Sequence, residues 1–194
     1  RSVTYWLIGH KADLLTFHLR PTVAGLHELQ RRFDHTLLAS STEKVFSYLS
    51  VVELSRHGLP DGAIENVVSS PFVQGRLHPE IPAHSRFICF YPMSKRRGEW
   101  DNWYLLDGQA RGDLMRAHGR TGRKYADSVS QIVSGSMGLD DWEGGVTLFA
   151  DDPLQFKKLV YEMRFDEVSA RFAEFGPFYV GQRIEPDELG AWLP

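Results

Sequence analysis

Phe87-Ile88-Cys89-Phe90-Tyr91-Pro92-Met93 is the stretch from which the rest of the chain can be read. Seven apolar, aromatic or β-branched residues in a row make a strand. Its side chains alternate between faces, so Cys89, Tyr91 and Met93 point one way, and Lys95 joins them if the chain stays extended. Pro92 cannot donate to a ladder and predicts a strand edge or an opening onto a pocket. After it, Asp107 to about Tyr125 carries Ala110, Leu114, His118, Thr121 and Tyr125 at helical spacing, which places His118 on the apolar stripe that faces the sheet. Ser128 to Gly135 and Gly145 to Ala150 read as strands, Asp152 to about Phe172 as helix, and Phe178 to Gly181 as strand. The order is βαββαβ, the ferredoxin-like arrangement, with two helices over one face of an antiparallel sheet.

Upstream the pattern half repeats. Val3 to Ile8 and Asp13 to Leu19 predict a hairpin about Gly9-His10-Lys11. Pro21 to about Ala39 reads as a helix and Lys44 to Leu54 as a strand. Ser55 to about Ser85 has little periodicity and reads as a long connection. This half runs ββαβ and lacks an opening strand and helix. The expected fold is therefore α+β, two tandem ferredoxin-like halves of the dimeric α/β-barrel type. Residues 1–85 form an incomplete N-terminal half with its crossover loop, and residues 86–194 the C-terminal half. A natural precursor would carry roughly 30 to 60 further residues. Glu185 to Leu193 reads as a short terminal helix.

Composition narrows the function. The 194 residues include 22 basic and 25 acidic side chains, a net charge of −3, and 42% are hydrophobic, which suits a folded globular chain. No apolar run reaches the ~20 residues of a membrane span, and no secretory leader is visible, so a soluble intracellular protein is expected. Cys89 is the only cysteine, too little sulfur for a disulfide or a thiolate zinc site. It reads as a small buried apolar residue. No phosphate-binding glycine motif occurs. Arg76, Lys95, Arg96, Arg97, Arg120, Arg123 and Lys124 form basic clusters, readable as solvated faces, a nucleic-acid patch or receptors for a small polyanion. The balanced charge argues against nucleic acid.

Residue by residue, alternatives stay open. His118 is either a satisfied core histidine or a ligand presented to a metal or haem iron. The other seven histidines form no zinc-type pair. Gln131, between Val129 and Val133 on one strand face, is a core hydrogen bonder or a neutral group lining a cavity. Tyr91 and Met93 either pack under a helix or share a surface with the Lys95 ammonium.

Five ordered motifs decide among these. Cys89-Phe90-Tyr91-Pro92-Met93-Ser94-Lys95-Arg96-Arg97, Asp101-Asn102-Trp103-Tyr104, Leu114-Met115-Arg116-Ala117-His118-Gly119, Gly122-Arg123-Lys124-Tyr125 and Tyr161 to Arg171 resemble the chlorite dismutase-like haem protein family, and within it the coproheme decarboxylase branch. The resemblance runs from Ile8-Gly9-His10-Lys11-Ala12-Asp13 to about Gly181. It implies that His118 is the proximal ligand of the haem iron. Chlorite dismutases carry an arginine where this chain has the neutral Gln131, which removes the cation that would hold a chlorine oxyanion. It also implies that Tyr91 lies beside a propionate, that Lys95 binds a propionate or supplies a proton, and that Arg76, Tyr48 and Ser169 contact propionates. Met93 and Gln131 would line the distal pocket, with Trp103 packing near the macrocycle. Glu162, Asp166 and Glu167 are the candidates for orienting the outer nitrogen of His118.

The activity implied is peroxide-dependent oxidative decarboxylation of Fe-coproporphyrin III (coproheme) to haem b in bacterial haem synthesis, with the porphyrin as both substrate and redox centre. Hydrogen peroxide is the oxidant, and Tyr91 passes an oxidising equivalent to the propionate as a tyrosyl radical. Loss of a hydrogen and of carbon dioxide leaves a vinyl group, and two such events complete the conversion. A cytoplasmic homopentamer without a membrane span is expected. The alternatives are a haem peroxidase or weak chlorite dismutase, and a non-enzymatic haem carrier or sensor.

Overall fold

The computed structural model describes residues 1–54, 69–185 and 187–192. Two compact units emerge, Arg1–Tyr48 with Gly181–Pro194, and Leu49–Val180. These boundaries differ from the halves read at residue 85.

In the first unit, β1 (Ser2–Leu7) and β2 (Leu14–His18) pair antiparallel with Tyr5 opposite Leu15, the expected hairpin. Its turn uses Gly9 at φ 109°, a conformation that only glycine adopts without strain. The last strand, β7 (Tyr179–Ile184), pairs with the other edge of β1, Leu7 opposite Gly181. A β-carbon at Gly181 would sit 2.8 Å from the Trp6 carbonyl oxygen and 3.1 Å from Tyr5 Cβ. Gly181→Ala is therefore expected to cost about 1–3 kcal/mol through overpacking, read as a lowered urea midpoint; an unchanged midpoint would contradict this packing.

The helix expected from Pro21 to Ala39 is two helices, α1 (Val23–Asp34) and α2 (Leu37–Ser40). Threonine hydroxyls explain both starts. Thr22 Oγ1 accepts from the Gly25 N–H at 3.1 Å and Thr36 Oγ1 from the Ala39 N–H at 3.2 Å, so each caps a new helix. Pro21 thus precedes the cap instead of occupying the first turn. The strand expected from Lys44 to Leu54 does not form; its only ladder contact among the described residues is Val51 opposite Gly135.

In the second unit, residues 55–68 of the expected connection lie outside the described residues, and the rest of it contains α3 (Pro71–Leu77), capped by Ser70. Then come β3 (Phe87–Lys95), α4 (Gly108–Arg123) capped by Asp107, β4 (Ser130–Gly135), β5 (Gly144–Ala150) and α5 (Leu154–Met163). The helical reading of Asp152 to Phe172 needs correction. The chain breaks after α5, makes a separate helical turn at Val168–Phe172 and ends in a short strand, β6 (Ala173–Phe175). β6 pairs with β3, Lys95 opposite Ala173. Pro92 consequently marks no sheet edge; it is buried in β3 opposite Gly145, and its carbonyl accepts from the Gly176 N–H at 2.9 Å.

β3, β5 and β4 lie side by side, and their register makes three rows. Cys89, Leu148 and Gln131 form one, Tyr91, Val146 and Val133 the next, and Met93, Gly144 and Gly135 the third. Phe156 and Leu159 of α5 pack on Cys89, Tyr91, Val146 and Leu148, which defines the helix side of the sheet. α4 packs chiefly on α5 and on the Val168–Phe172 turn. At the β4 end of the rows Gln131 is exposed and Val133 is 47% exposed, surface that no helix of the described residues covers.

Candidate functional site

Asp166 organises the site through local backbone chemistry. Its Oδ1 accepts the N–H groups of Val168 and Ser169 at 3.0 and 3.3 Å, and its Oδ2 accepts the Ser169 hydroxyl at 3.1 Å. An aspartate ahead of a helical turn does this readily. Fixed in this way, Oδ2 lies 2.9 Å from His118 Nδ1 on α4. A carboxylate can only accept, so Nδ1 carries the hydrogen, which in the tautomer this fixes leaves Nε2 as the nitrogen with a lone pair to offer. Nε2 has no partner among the described residues. The other two acids of the motif are engaged elsewhere: Glu162 with Lys124 and the Tyr125 hydroxyl, Glu167 with Arg171.

Lys95 stands beside this pair. Its ammonium lies 4.7 Å from the Trp103 ring centroid, a cation–π contact, and the carboxylates of Asp166 and Glu143 are the opposite charges acting on it. Trp103 packs with Val168 and Phe172 in a buried cluster. Burial pushes the Lys95 ammonium down to about 8, against the partial support of Asp166 and Glu143. The folded protein then releases this proton near pH 8, while the unfolded chain holds it to about 10.5. Between those values the unfolded state binds more protons, so Lys95 makes stability rise with pH. Lys95→Met should remove that rise, measured as urea midpoints on either side of the window; parallel pH profiles for the two proteins would refute it.

Tyr91 is 8% exposed. Its ring stacks on Phe178 at 4.4 Å and tilts against Phe175 at 5.7 Å. Burial, reinforced by Cys89, pushes its phenol well above the ordinary value, although the Arg164 guanidinium acts in the opposite direction. The group is therefore a neutral O–H donor with no hydrogen-bond partner among the described residues. Arg164 sits over the Phe175 ring at 3.7 Å, a cation near Tyr91 to which the sequence reading assigned no role.

The structure brings His118, Ser169, Trp103 and Lys95 together around Asp166 and places Tyr91, Met93 and Gln131 on one sheet face. Arg76 is exposed on α3, without an ion pair among the described residues. Tyr48 is half-buried at the end of the first unit. A mostly apolar cavity of about 380 Å³ lies between α5 and the sheet, lined by Cys89, Phe156, Val160 and Phe178 among others. It adjoins Tyr91 through Phe178 but does not include His118. Among the described residues, no three acidic, histidine or cysteine side chains could jointly hold a bare metal ion. A lone imidazole with a free lone pair suits an iron whose other ligands a porphyrin supplies. No helix of the described residues is long and apolar enough to cross a membrane.

Fold and site together define an α+β protein in which a carboxylate-anchored histidine keeps its second ring nitrogen without a partner among the described residues. A family model described as chlorite dismutase matches residues 1–184. The chain belongs to the chlorite dismutase family. It is 51% identical over 189 residues to a coproheme decarboxylase of Thermus thermophilus, covering 97% of this chain and 74% of that protein. It superposes with a TM-score of 0.92 and 50% identity on the solved structure of a novel heme-binding protein, also from Thermus thermophilus, covering 98% and 75% of the two chains. Chlorite dismutase from Candidatus Nitrospira defluvii, in a variant with one arginine replaced by lysine, shares the fold at 22% identity and a TM-score of 0.74, over 99% of this chain and 78% of that one.

Proposed function

We propose that this chain converts ferric coproheme to haem b by oxidative decarboxylation of two propionates with hydrogen peroxide. The observation that carries the reading is the shared side of one sheet. A neutral buried phenol, Tyr91, lies on the helix-side face, and the helices on that same side hold an imidazole whose second nitrogen is already committed to Asp166. The similarity to a coproheme decarboxylase adds the substrate.

The bound iron porphyrin, when present, supplies the oxidising equivalents drawn from peroxide. Each event balances as one propionate, one hydrogen peroxide and one proton giving one vinyl group, carbon dioxide and two waters. His118 Nε2 holds the iron, and Asp166 keeps the ring oriented. Tyr91 takes a hydrogen from the propionate β-carbon after giving up its own phenolic hydrogen atom. Its burial keeps that hydrogen in place until then, and the stacked Phe178 and Phe175 hold the ring still. Lys95 and Ser169 bind propionate oxygens or hold a proton for them, joined by Arg76. Met93 and Gln131 line the opposite side of the porphyrin, and Trp103 packs at its edge. Gln131 offers no charge to a chlorine oxyanion, so oxygen release from chlorite should be negligible. The assembly expected to work in this way is a ring of five subunits, which light scattering would read.

The test is mass spectrometry of the porphyrin after ferric coproheme and peroxide are mixed with the protein. Products lighter by one and then two carboxyl groups support the reading. Bleaching without either product leaves a carrier or a nonspecific peroxidase.

A further inference from the structure

We propose that Arg164 receives the carboxylate of the propionate from which Tyr91 takes a hydrogen, an inference that rests on the porphyrin reading above. Arg164 follows the last residue of α5, and its backbone N–H donates to the carbonyls of Val160 and Tyr161 at 3.1 and 3.2 Å. The helix end thus fixes where the side chain starts. Its guanidinium carbon lies 3.7 Å from the centroid of the Phe175 ring. Phe175 stands opposite Met93 of β3, and its centroid is 5.7 Å from that of Tyr91. Arg164 can therefore be no farther from the Tyr91 ring than those two distances laid end to end, and its charge acts on the phenol.

The pair has the makings of a carboxylate receptor. Arg164 has no ion pair or side-chain hydrogen bond among the described residues, whereas nearby cations are already committed, Lys124 to Glu162 and Arg171 to Asp101 and Glu167. The residue is exposed, and a guanidinium stacked on a ring keeps the N–H groups at its edge for a planar acceptor. Tyr91 adds an O–H donor without a partner among the described residues. One carboxylate hydrogen-bonded on both sides spans roughly 7 Å, and the long, exposed arginine side chain closes the remainder. Lys95 does not duplicate this role. It lies four residues along β3 from Tyr91, about 13 Å, and meets Trp103 and the charge of Asp166, so the two cations suit different arms of the porphyrin. Loss of carbon dioxide removes the charge that Arg164 holds, and the vinyl group left behind offers it nothing. Arg164 on this basis favours substrate over product.

Binding without peroxide tests this apart from turnover, because haem b keeps two propionates and lacks the two that react. In Soret titrations, Arg164→Gln should weaken ferric coproheme about ten- to a hundredfold, the worth of a hydrogen bond to a charged group, and leave haem b unchanged. Arg164→Lys, which keeps the charge and loses the fork, should fall between. Haem b enters the same pocket, so its unchanged affinity also shows that the variant is folded. Equal weakening of both porphyrins overturns the proposal and leaves Arg164 as a support for the Phe175 ring. So does coproheme binding by Arg164→Gln at parental strength. Failure of the parent protein to bind coproheme removes the porphyrin reading first, and this one with it.

Discussion

Tyr91→Phe is expected to bind ferric coproheme as the parent does and to lose propionate decarboxylation by at least about a hundredfold. The substitution removes one hydroxyl and little else. The ring keeps its stack on Phe178 at 4.4 Å and its contact with Phe175 at 5.7 Å, and the lost hydroxyl has no hydrogen-bond partner among the described residues. Stability should therefore change by less than about 1 kcal/mol. What disappears is the O–H to which the proposed reaction assigns the passage of an oxidising equivalent to a propionate and the uptake of a hydrogen from it. The check is the mass spectrum of the porphyrin after peroxide, beside an unchanged Soret titration. Full conversion by the variant would end the radical role, and loss of porphyrin binding would make the hydroxyl a binding group.

His118→Ala should weaken coproheme binding by more than about a hundredfold, since it deletes the proposed iron ligand, while changing a supporting partner such as Asp166 costs about 10–100-fold. Asp166→Asn makes the comparison. Asn keeps an acceptor for the Val168 and Ser169 N–H groups, which the aspartate receives at 3.0 and 3.3 Å, yet is uncharged and a poorer partner for the His118 N–H. The graded order, parent tightest, Asp166→Asn intermediate and His118→Ala weakest, is read from Soret titrations with ferric coproheme. Binding to His118→Ala at parental strength would place the iron anchor elsewhere. The His118 side chain is 26% exposed, so the alanine leaves no buried cavity and the fold should persist.

Much of this site follows from short-range pattern. Alternation along Phe87 to Met93 puts Tyr91 and Met93 on one face, and four- and three-residue spacing puts His118 on the inner stripe of its helix. Both are properties of a few consecutive residues; the structure keeps the first, while the stripe that carries His118 packs chiefly on α5 and the Val168–Phe172 turn and not on the sheet. The break of α1 at Thr36 was also visible in principle, because a threonine followed three residues later by a free N–H is a cap. Asp166 carried a similar signal, an aspartate just ahead of a helical turn, yet its neighbours Glu162 and Glu167 were equally acidic. Only the packing of α4 against that turn sends Asp166 to His118, while Glu162 turns to Tyr125 and Glu167 to Arg171.

Strand β6 has three residues, too few for a period of two to register, so the sequence around Pro92 predicts an edge or an opening onto a pocket and not a neighbouring strand. The position of Glu53 over Gly135 joins residues far apart in the chain through a single isolated bridge. The sequence by itself determined which side chains share a face, because strand and helix geometry repeat over a few bonds. Which carboxylate meets the histidine, which strand borders Pro92 and what fills the space above two glycines were decided by tertiary structure, since these depend on contacts that no local period encodes.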